Sequence, residues 1–349
     1  MKAGILTFHE ADSYGAVLQA YALQQTLSKL GADSEFVRIQ MPQTAAPARS
    51  VTGAAAVFAR RIQAESKKRE ALFADFRQKH MRISHTYQPA DPIDDEYDCF
   101  IAGSDQIWNF RIPGADARYF LPFAKPEKRY SYAASFGADA LPEKAKAWAA
   151  GQLSQFQDIS VREESGCRIV KELTGREAQV CLDPTLLVER ADWESLTREE
   201  NAEPYVLAFL LKYDEALVAK AREEAEKRGA QLRVITAAFV PQLGMSAWNT
   251  TGVTDWLCAI RNAQCVFTNS FHGMVFSMIF ARSFHIQRLT GELSSRNGRL
   301  EELLSFLELS NALEDVVQPD YDQVWQLLEP RRTASLDYLR RMLHHDAAI

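Results

Sequence analysis

Short apolar runs alternating with segments of helical periodicity constrain this chain more than any other feature of its sequence. Gly4 to Phe8 is one such run. Ala16, Ala20, Leu23, Leu27 and Leu30 then recur at helical spacing until Gly31 stops the helix, and Ser34 to Ile39 resumes as a strand. Further apolar runs lie at Tyr97 to Gly103, Arg129 to Ala134, Asp158 to Val161 and Ala178 to Leu182. A second series starts after the charged, Pro-containing stretch Thr197 to Pro204. It reads strand Tyr205 to Leu211, helix Asp214 to Arg228, strand Gln231 to Thr236, helix Thr254 to Ala263, strand Cys265 to Thr268, an apolar helix Phe271 to Ala281, strand Phe284 to Gln287 and an amphipathic helix Gly298 to Leu309. Strands alternating with helices form a largely parallel sheet covered on both faces, so the expected class is α/β with two doubly wound halves. Ligands in such sheets bind beyond the carboxyl ends of the strands, which puts the site in the cleft between the halves.

A chain of 349 residues has room for two domains of about 100–200 residues each. The expected division is residues 1–195, residues 196–320, and a helical C-terminal segment, 321–349, packing back on the first domain. Residues 42–57 and 110–127 read as loops of mixed Pro, Gly and small residues. The formal net charge of −6 supplies no field for phosphate backbones, which argues against a nucleic-acid partner. The densest basic stretch, Arg60 to Arg69, also carries Glu65 and reads as the solvated side of a helix. Five cysteines without a CxxC pair cannot all be joined within one chain, which fits a reducing compartment. Cys99, Cys181 and Cys265 sit in apolar runs as small hydrophobes and are assigned no chemistry. MKAGILTFHE lacks a signal-peptide core, and Asn269, Ser270, His272 and Gly273 interrupt the apolar stretch 265–284, so no transmembrane segment is expected. The expected location is cytoplasmic, either free or peripheral at the inner face of the membrane.

No GxGxxG follows the first strand, and GxxxxGK[ST], HExxH and paired CxxC motifs are absent, which removes the commonest dinucleotide, P-loop and zinc readings. Three strand-to-helix junctions concentrate polar residues instead. After the first strand, TFHEADSYG places His9, Asp12, Ser13, Tyr14 and Gly15 at a helix start, where main-chain N–H groups attract anions; the alternative is that Asp12 or Ser13 only caps the helix. DCFIAGSDQIWNF delivers Ser104, Asp105, Gln106, Trp108 and Asn109 to a sheet edge. There a carboxylate can take a proton from a hydroxyl and an indole can stack on a sugar, unless the segment is a local Asx turn. Tyr130, Tyr132, Ser135 and Phe136 could extend that wall, although strand aromatics usually belong to the core. In CVFTNSFHGMVFSMIFA, an apolar helix must be buried all round, so its polar start, Asn269, Ser270, His272 and Gly273, faces a cavity or an interface. A histidine there either holds an anion or is structural. Arg162, Arg296 and Arg299 carry planar forks suited to carboxylate or phosphate if they face the cleft rather than solvent.

Together these segments resemble the polysaccharide pyruvyl transferase family, from Lys2 to about Leu309. The blocks that carry the resemblance are FHEADSYGAVLQAYAL, YDCFIAGSDQIWN, ISVREESG, LDPTLLV, TNSFHGMVFSMIFA and RLEELLSFLEL. Family members often have Asn where Ser13 stands and Asp where Asn269 stands. The resemblance implies two Rossmann-like domains in a glycosyltransferase-B-like pair, with the acceptor on the first and the donor on the second. It also implies transfer of pyruvate from phosphoenolpyruvate onto two hydroxyls of a sugar in a cell-surface polysaccharide or its precursor, either free or lipid-linked, with release of phosphate. On this reading His272 binds phosphoenolpyruvate and serves as acid, and Asp105 is the base. Arg162, Ser270, Gly273 and Arg299 hold the donor, and His9, Tyr14, Gly15, Ser104, Trp108 and Asn109 hold the acceptor. No metal or other cofactor is required. The rival expectations are a nucleotide-sugar-dependent glycosyltransferase and a non-catalytic glycan-binding member of the family.

Overall fold

The apolar runs pair as parallel strands in two separate sheets. The computed structural model describes residues 1–40, 53–111, 117–198, 203–244 and 246–344. In the first half, β1 (Lys2–Leu6), β2 (Asp33–Ile39), β3 (Ile83–Tyr87), β4 (Cys99–Asp105), β5 (Arg129–Ala134), β6 (Ser160–Val161) and β7 (Gln179–Val180) form one sheet in the order β3-β2-β1-β4-β5-β6-β7. In the second, β8 (Tyr205–Leu210), β9 (Gln231–Thr236), β10 (Cys265–Thr268) and β11 (Ser283–Ile286) form a sheet in the order β11-β10-β8-β9. Every ladder between these strands is parallel, with Ile5 opposite Ile101 and Thr268 opposite Phe209. The fold is thus two Rossmann-like doubly wound units arranged in the glycosyltransferase-B manner.

Burial explains why the strands read as continuous apolar runs rather than alternating ones, since helices cover both faces of a parallel sheet. Every residue of β4 except Asp105, and every residue of β5 and β8, is buried. The helix Phe271–Ile279 is buried at all nine positions. Phe276 packs edge-on against Trp193 from the first half and Trp256 from the second. The helix Tyr321–His344 lies across the first sheet: Tyr338 donates to the carbonyl of Ser131 at 2.9 Å, and Ser335 Oγ accepts from the Leu182 N–H at 3.0 Å.

Three local expectations change. The stretch read as loop 42–57 becomes helical from Gly53, within a long helix Gly53–His80, while residues 42–52 lie outside the described residues. That helix does not keep all its basic residues in solvent. Arg69 is buried and donates to the carbonyls of Trp248 (2.8 Å) and Asp12 (3.2 Å) and to the Tyr14 hydroxyl (3.2 Å), bracing the two halves. The loop 110–127 contains two single turns, Ala117–Phe120 and Pro126–Lys128, and residues 112–116 lie outside the described residues. Cys99, Cys181, Cys258 and Cys265 are buried, and burial pushes the thiols of Cys181 and Cys265 up to about 12. Among the described residues no helix is long and apolar enough to cross a membrane.

Candidate functional site

Each sheet has one place where the chain leaves neighbouring strands in opposite directions, and each opening is held by a buried polar side chain. Between β1 and β4, Thr7 Oγ1 donates to the Ser104 carbonyl at 2.7 Å and accepts from Gln19 Nε2 at 3.0 Å. Between β8 and β10, Asn269 accepts from the Leu211 N–H at 2.8 Å and donates to the Lys212 carbonyl at 2.7 Å. The loops leaving these openings carry the polar residues singled out above, which is where doubly wound sheets bind ligands.

At the centre is a buried charge cluster. Asp183, just beyond β7, has a fully buried side chain: Oδ1 accepts from Thr185 N (3.0 Å) and Oγ1 (2.7 Å), and Oδ2 lies 3.1 Å from Arg162 Nη2 and 3.3 Å from His272 Nε2. Burial alone would raise its pKa, but Arg162, His272 and the Thr185 hydrogen bonds outweigh burial and hold the carboxyl well below the usual carboxylate range. Arg162 also donates to Ser104 Oγ, while its Nε and Nη1 have no hydrogen-bond partner. Arg299 lies beside it, both guanidiniums sitting over the Phe271 ring. Burial, and secondarily Arg162, pushes the Arg299 guanidinium down to about 10, so it stays charged at neutral pH, and its Nε is also unpartnered. Asp105 Oδ1 faces both cations, 3.9 Å from Arg162 and 4.0 Å from Arg299. Its backbone has φ +78°, a left-handed conformation that non-glycine residues adopt at a cost and that clusters at functional sites. The Gln106 amide, turned with its oxygen towards Arg299, accepts from both terminal nitrogens at 2.9 and 3.0 Å.

A cavity of about 170 Å³ opens onto this cluster between the halves. Asp105, Gln106, Tyr14, Gly15, Ser13, Ser270, Phe271, His272, Arg296 and Arg299 line it. Several expected contacts take other positions. Gly15 is there for His272 rather than for a ligand, because a Cβ on Gly15 would lie 2.1 Å from His272 Nδ1. Tyr14 is an anchor between the halves: its ring stacks on Trp256 at 5.1 Å and its hydroxyl donates to the Thr251 carbonyl at 2.8 Å. Trp108 cannot stack on a sugar, since it is 1% exposed, packed among Phe120, Phe136 and Phe156, with Nε1 donating to the Tyr119 carbonyl. Asn109 is buried behind Gln106, and Ser104 is buried beneath Arg162, so neither side chain reaches the cavity. Ser270 caps the helix through the Gly273 N–H, and Gly273 packs against Thr268, where a Cβ would meet Oγ1 at 2.5 Å. His9 lines a different cavity, of about 320 Å³.

Asp183 and Gln106 are the site residues that sequence reasoning left without a role. Asp183 stands before Pro184 in LDPTLLV, a spacing that reads equally well as a turn cap, which it also is. Only the fold brings it against Arg162 and His272, both more than twenty residues away in sequence.

No curated protein matches this chain by sequence. Among solved structures it is similar to the UDP-GlcNAc 2-epimerase of Neisseria meningitidis bound to UDP-GlcNAc, at 9% identity over 94% of this chain and 98% of that one, with a TM-score of 0.44. It is also similar to a Streptomyces glycosyltransferase complexed with thymidine diphosphate, at 12% identity over 99% of both chains, with a TM-score of 0.42. The family model for polysaccharide pyruvyl transferase matches residues 14–286. The chain belongs to that family and is a transferase.

Proposed function

We propose that this family member takes pyruvate from phosphoenolpyruvate and joins it to two hydroxyls of a sugar as a cyclic ketal, releasing phosphate. The observation that carries the donor assignment is the pair of buried guanidiniums with unpartnered N–H groups: Arg299 lines the cavity, and Arg162 lies behind it, lining with Arg299 and Phe271 a smaller space of about 30 Å³. A buried donor without a partner costs about 1–3 kcal/mol. A small dianion or trianion supplies the missing acceptors, and planar forks suit both a carboxylate and a phosphate. The halves proposed at 1–195 and 196–320 both contribute: Arg162 from the first, His272 and Arg299 from the second.

Transfer begins with a proton added to the methylene carbon of phosphoenolpyruvate, for which His272 is the acid. Oxocarbenium character develops at C2, and one sugar hydroxyl attacks there while Asp105 takes its proton. The second hydroxyl then forms a bond to C2 as the C2–O bond to phosphate breaks, its proton going to the departing phosphate, and the proton held by Asp105 passes to solvent as His272 is reprotonated. Asp183 holds His272 by charge, its Oδ2 lying 3.3 Å from Nε2, and the arginines balance the charge that collects on the leaving phosphate.

Calorimetry and phosphate release test the reading together. Saturating phosphoenolpyruvate should stabilise the protein, by about 2.7 kcal/mol at a hundred times Kd, and phosphate should appear when a sugar acceptor is added. No stabilisation and no phosphate with acceptor present would refute it. Release of a nucleoside diphosphate from a nucleotide sugar would put a glycosyltransferase in its place.

A further inference from the structure

The turn that carries Asp105 is held from behind by two residues that the mechanism above does not use. Ser135, expected to extend the wall of the cleft, is fully buried just past the end of β5 and is tied to the turn through its backbone. Its N–H donates to the Asp105 carbonyl at 2.9 Å, and its carbonyl accepts from the Trp108 N–H at 3.2 Å. Its Oγ accepts from the Gly137 N–H at 3.0 Å and donates to Glu163 Oε1 at 2.7 Å, since a carboxylate can only accept. Resting on the transferase reading above, we propose that Ser135 and Glu163 are positioning residues, which hold Asp105 where it takes the acceptor's proton without themselves touching substrate.

Asp105 needs such a brace. Its φ of +78° lies in a region that a non-glycine residue holds only where the surroundings over-determine it. The Ser135 N–H fixes the Asp105 carbonyl, and the neighbouring Ala134 carbonyl accepts from the Arg162 N–H at 3.2 Å, so one stretch of backbone links the base to a guanidinium it faces. Gly137, at φ +57°, packs so closely on the turn that a Cβ would lie 2.4 Å from Asn109 Nδ2. Helix capping does not explain Glu163. It is the N-cap of the helix Glu164–Thr174, yet its side chain makes no cap hydrogen bond and turns to Ser135 instead. Packing does not explain it either, because Glu163 is buried with Oε2 unpartnered, and a single side-chain hydrogen bond does not offset the desolvation of a carboxylate. Its charge also favours the protonated form of Arg299, with which it lines a space of about 20 Å³. Hydrogen bond and charge are thus two ways for Glu163 to act, and substitution separates them.

Ser135→Ala and Glu163→Leu remove the hydrogen bond, whereas Glu163→Gln keeps an oxygen for the Ser135 hydroxyl and removes the charge. Phosphate release from phosphoenolpyruvate is followed with p-nitrophenyl hexosides (gluco, galacto and manno) as acceptors, alongside thermal unfolding and crystal structures of Ser135→Ala and Glu163→Leu. In both structures the Asp105 carboxyl should shift by about 1 Å relative to Arg162, and kcat should fall about ten- to a hundredfold. For Ser135→Ala the KM for phosphoenolpyruvate and the stabilisation it confers should stay at their wild-type values. Glu163→Gln should recover turnover to within about threefold of wild type. In an Asp105→Asn background Ser135→Ala should lower kcat by less than a further factor of about two, because it acts through that carboxyl. The proposal is overturned if Asp105 keeps its place in both structures, or if Ser135→Ala costs as much without the Asp105 carboxylate as with it. It is also overturned if Glu163→Gln is as slow as Glu163→Leu, which would assign the effect to charge on Arg299. An Asp105 turn that shifts in these variants, in a protein that phosphoenolpyruvate does not stabilise and that releases no phosphate, would remove the pyruvyl reading and leave the brace standing.

Discussion

Replacing Asp183 by Asn tests whether the buried charge cluster is one electrostatic unit. The amide keeps an oxygen for the Thr185 N–H and hydroxyl, but its NH₂ must face Arg162 Nη2 and His272 Nε2, at 3.1 and 3.3 Å, so donors oppose donors. Among the described residues, Arg162 also loses its one carboxylate partner within 3.5 Å. Removing one member of a buried pair costs about 3–5 kcal/mol, mostly from the charge left behind. With an unfolding entropy of about 2.1 cal/mol/K per residue over 349 residues, that lowers Tm by about 4–7 °C. The pH dependence adds a second check. The native carboxyl titrates well below its unfolded value, so its stabilisation is complete above the unfolded pKa, about 3.9, and is lost as pH falls towards the native one. The difference between wild type and variant should therefore be constant from pH 7 to 5 and shrink by up to about 1.4 kcal/mol per pH unit below 4. Thermal unfolding at pH 7, 5 and 3 measures both quantities. A variant melting within 1 °C of wild type at pH 7, or a gap that widens in acid, would refute the argument.

Two further outcomes follow from the same geometry. His272→Asn should fold, because Arg162 still neutralises Asp183, yet phosphate release should fall by about 10²- to 10⁴-fold, the usual value of acid–base catalysis; near-normal turnover would remove His272 from the chemistry. Gly15→Ala should destabilise by about 1–3 kcal/mol and weaken phosphoenolpyruvate binding, since its Cβ would occupy the place of His272 Nδ1, and His272→Ala in the same chain should restore stability; thermal unfolding of the single and double variants decides it.

Much of the fold was legible because parallel strands buried on both faces leave unbroken apolar runs. Arg129–Ala134 and Cys265–Thr268, buried along their whole length, match their sequence boundaries. Ile83–Tyr87 was not legible: it is an edge strand, ISHTY, with two exposed polar residues, and pairs only with β2. The long helix Gly53–His80 is mostly polar, and its inward residues Arg69, Phe73 and Phe76 are too sparse to mark its length. At the site, sequence position found the junctions but not the direction of side chains. Trp108 and Tyr14 sit at the right strand and helix ends and turn into the interior, where aromatic packing holds them. Asp183 gave only a cap signal, because its charge partners lie on other elements.

Asn269 shows how a local departure acts through backbone position. Its amide uses both faces, accepting from the Leu211 N–H and donating to the Lys212 carbonyl, so it fixes the end of β8 where Leu211 borders the cleft. An ionised Asp at this position would satisfy the Leu211 N–H but set an acceptor oxygen against the Lys212 carbonyl at 2.7 Å. The Lys212 peptide would have to turn, or the carboxyl would have to keep its proton. With Asn the strand end is held without charge, and the cleft beside Arg299 and His272 has one negative charge fewer than with an ionised carboxylate. The substitution therefore preserves the opening between β8 and β10 and makes the neighbouring cavity a better host for an anion.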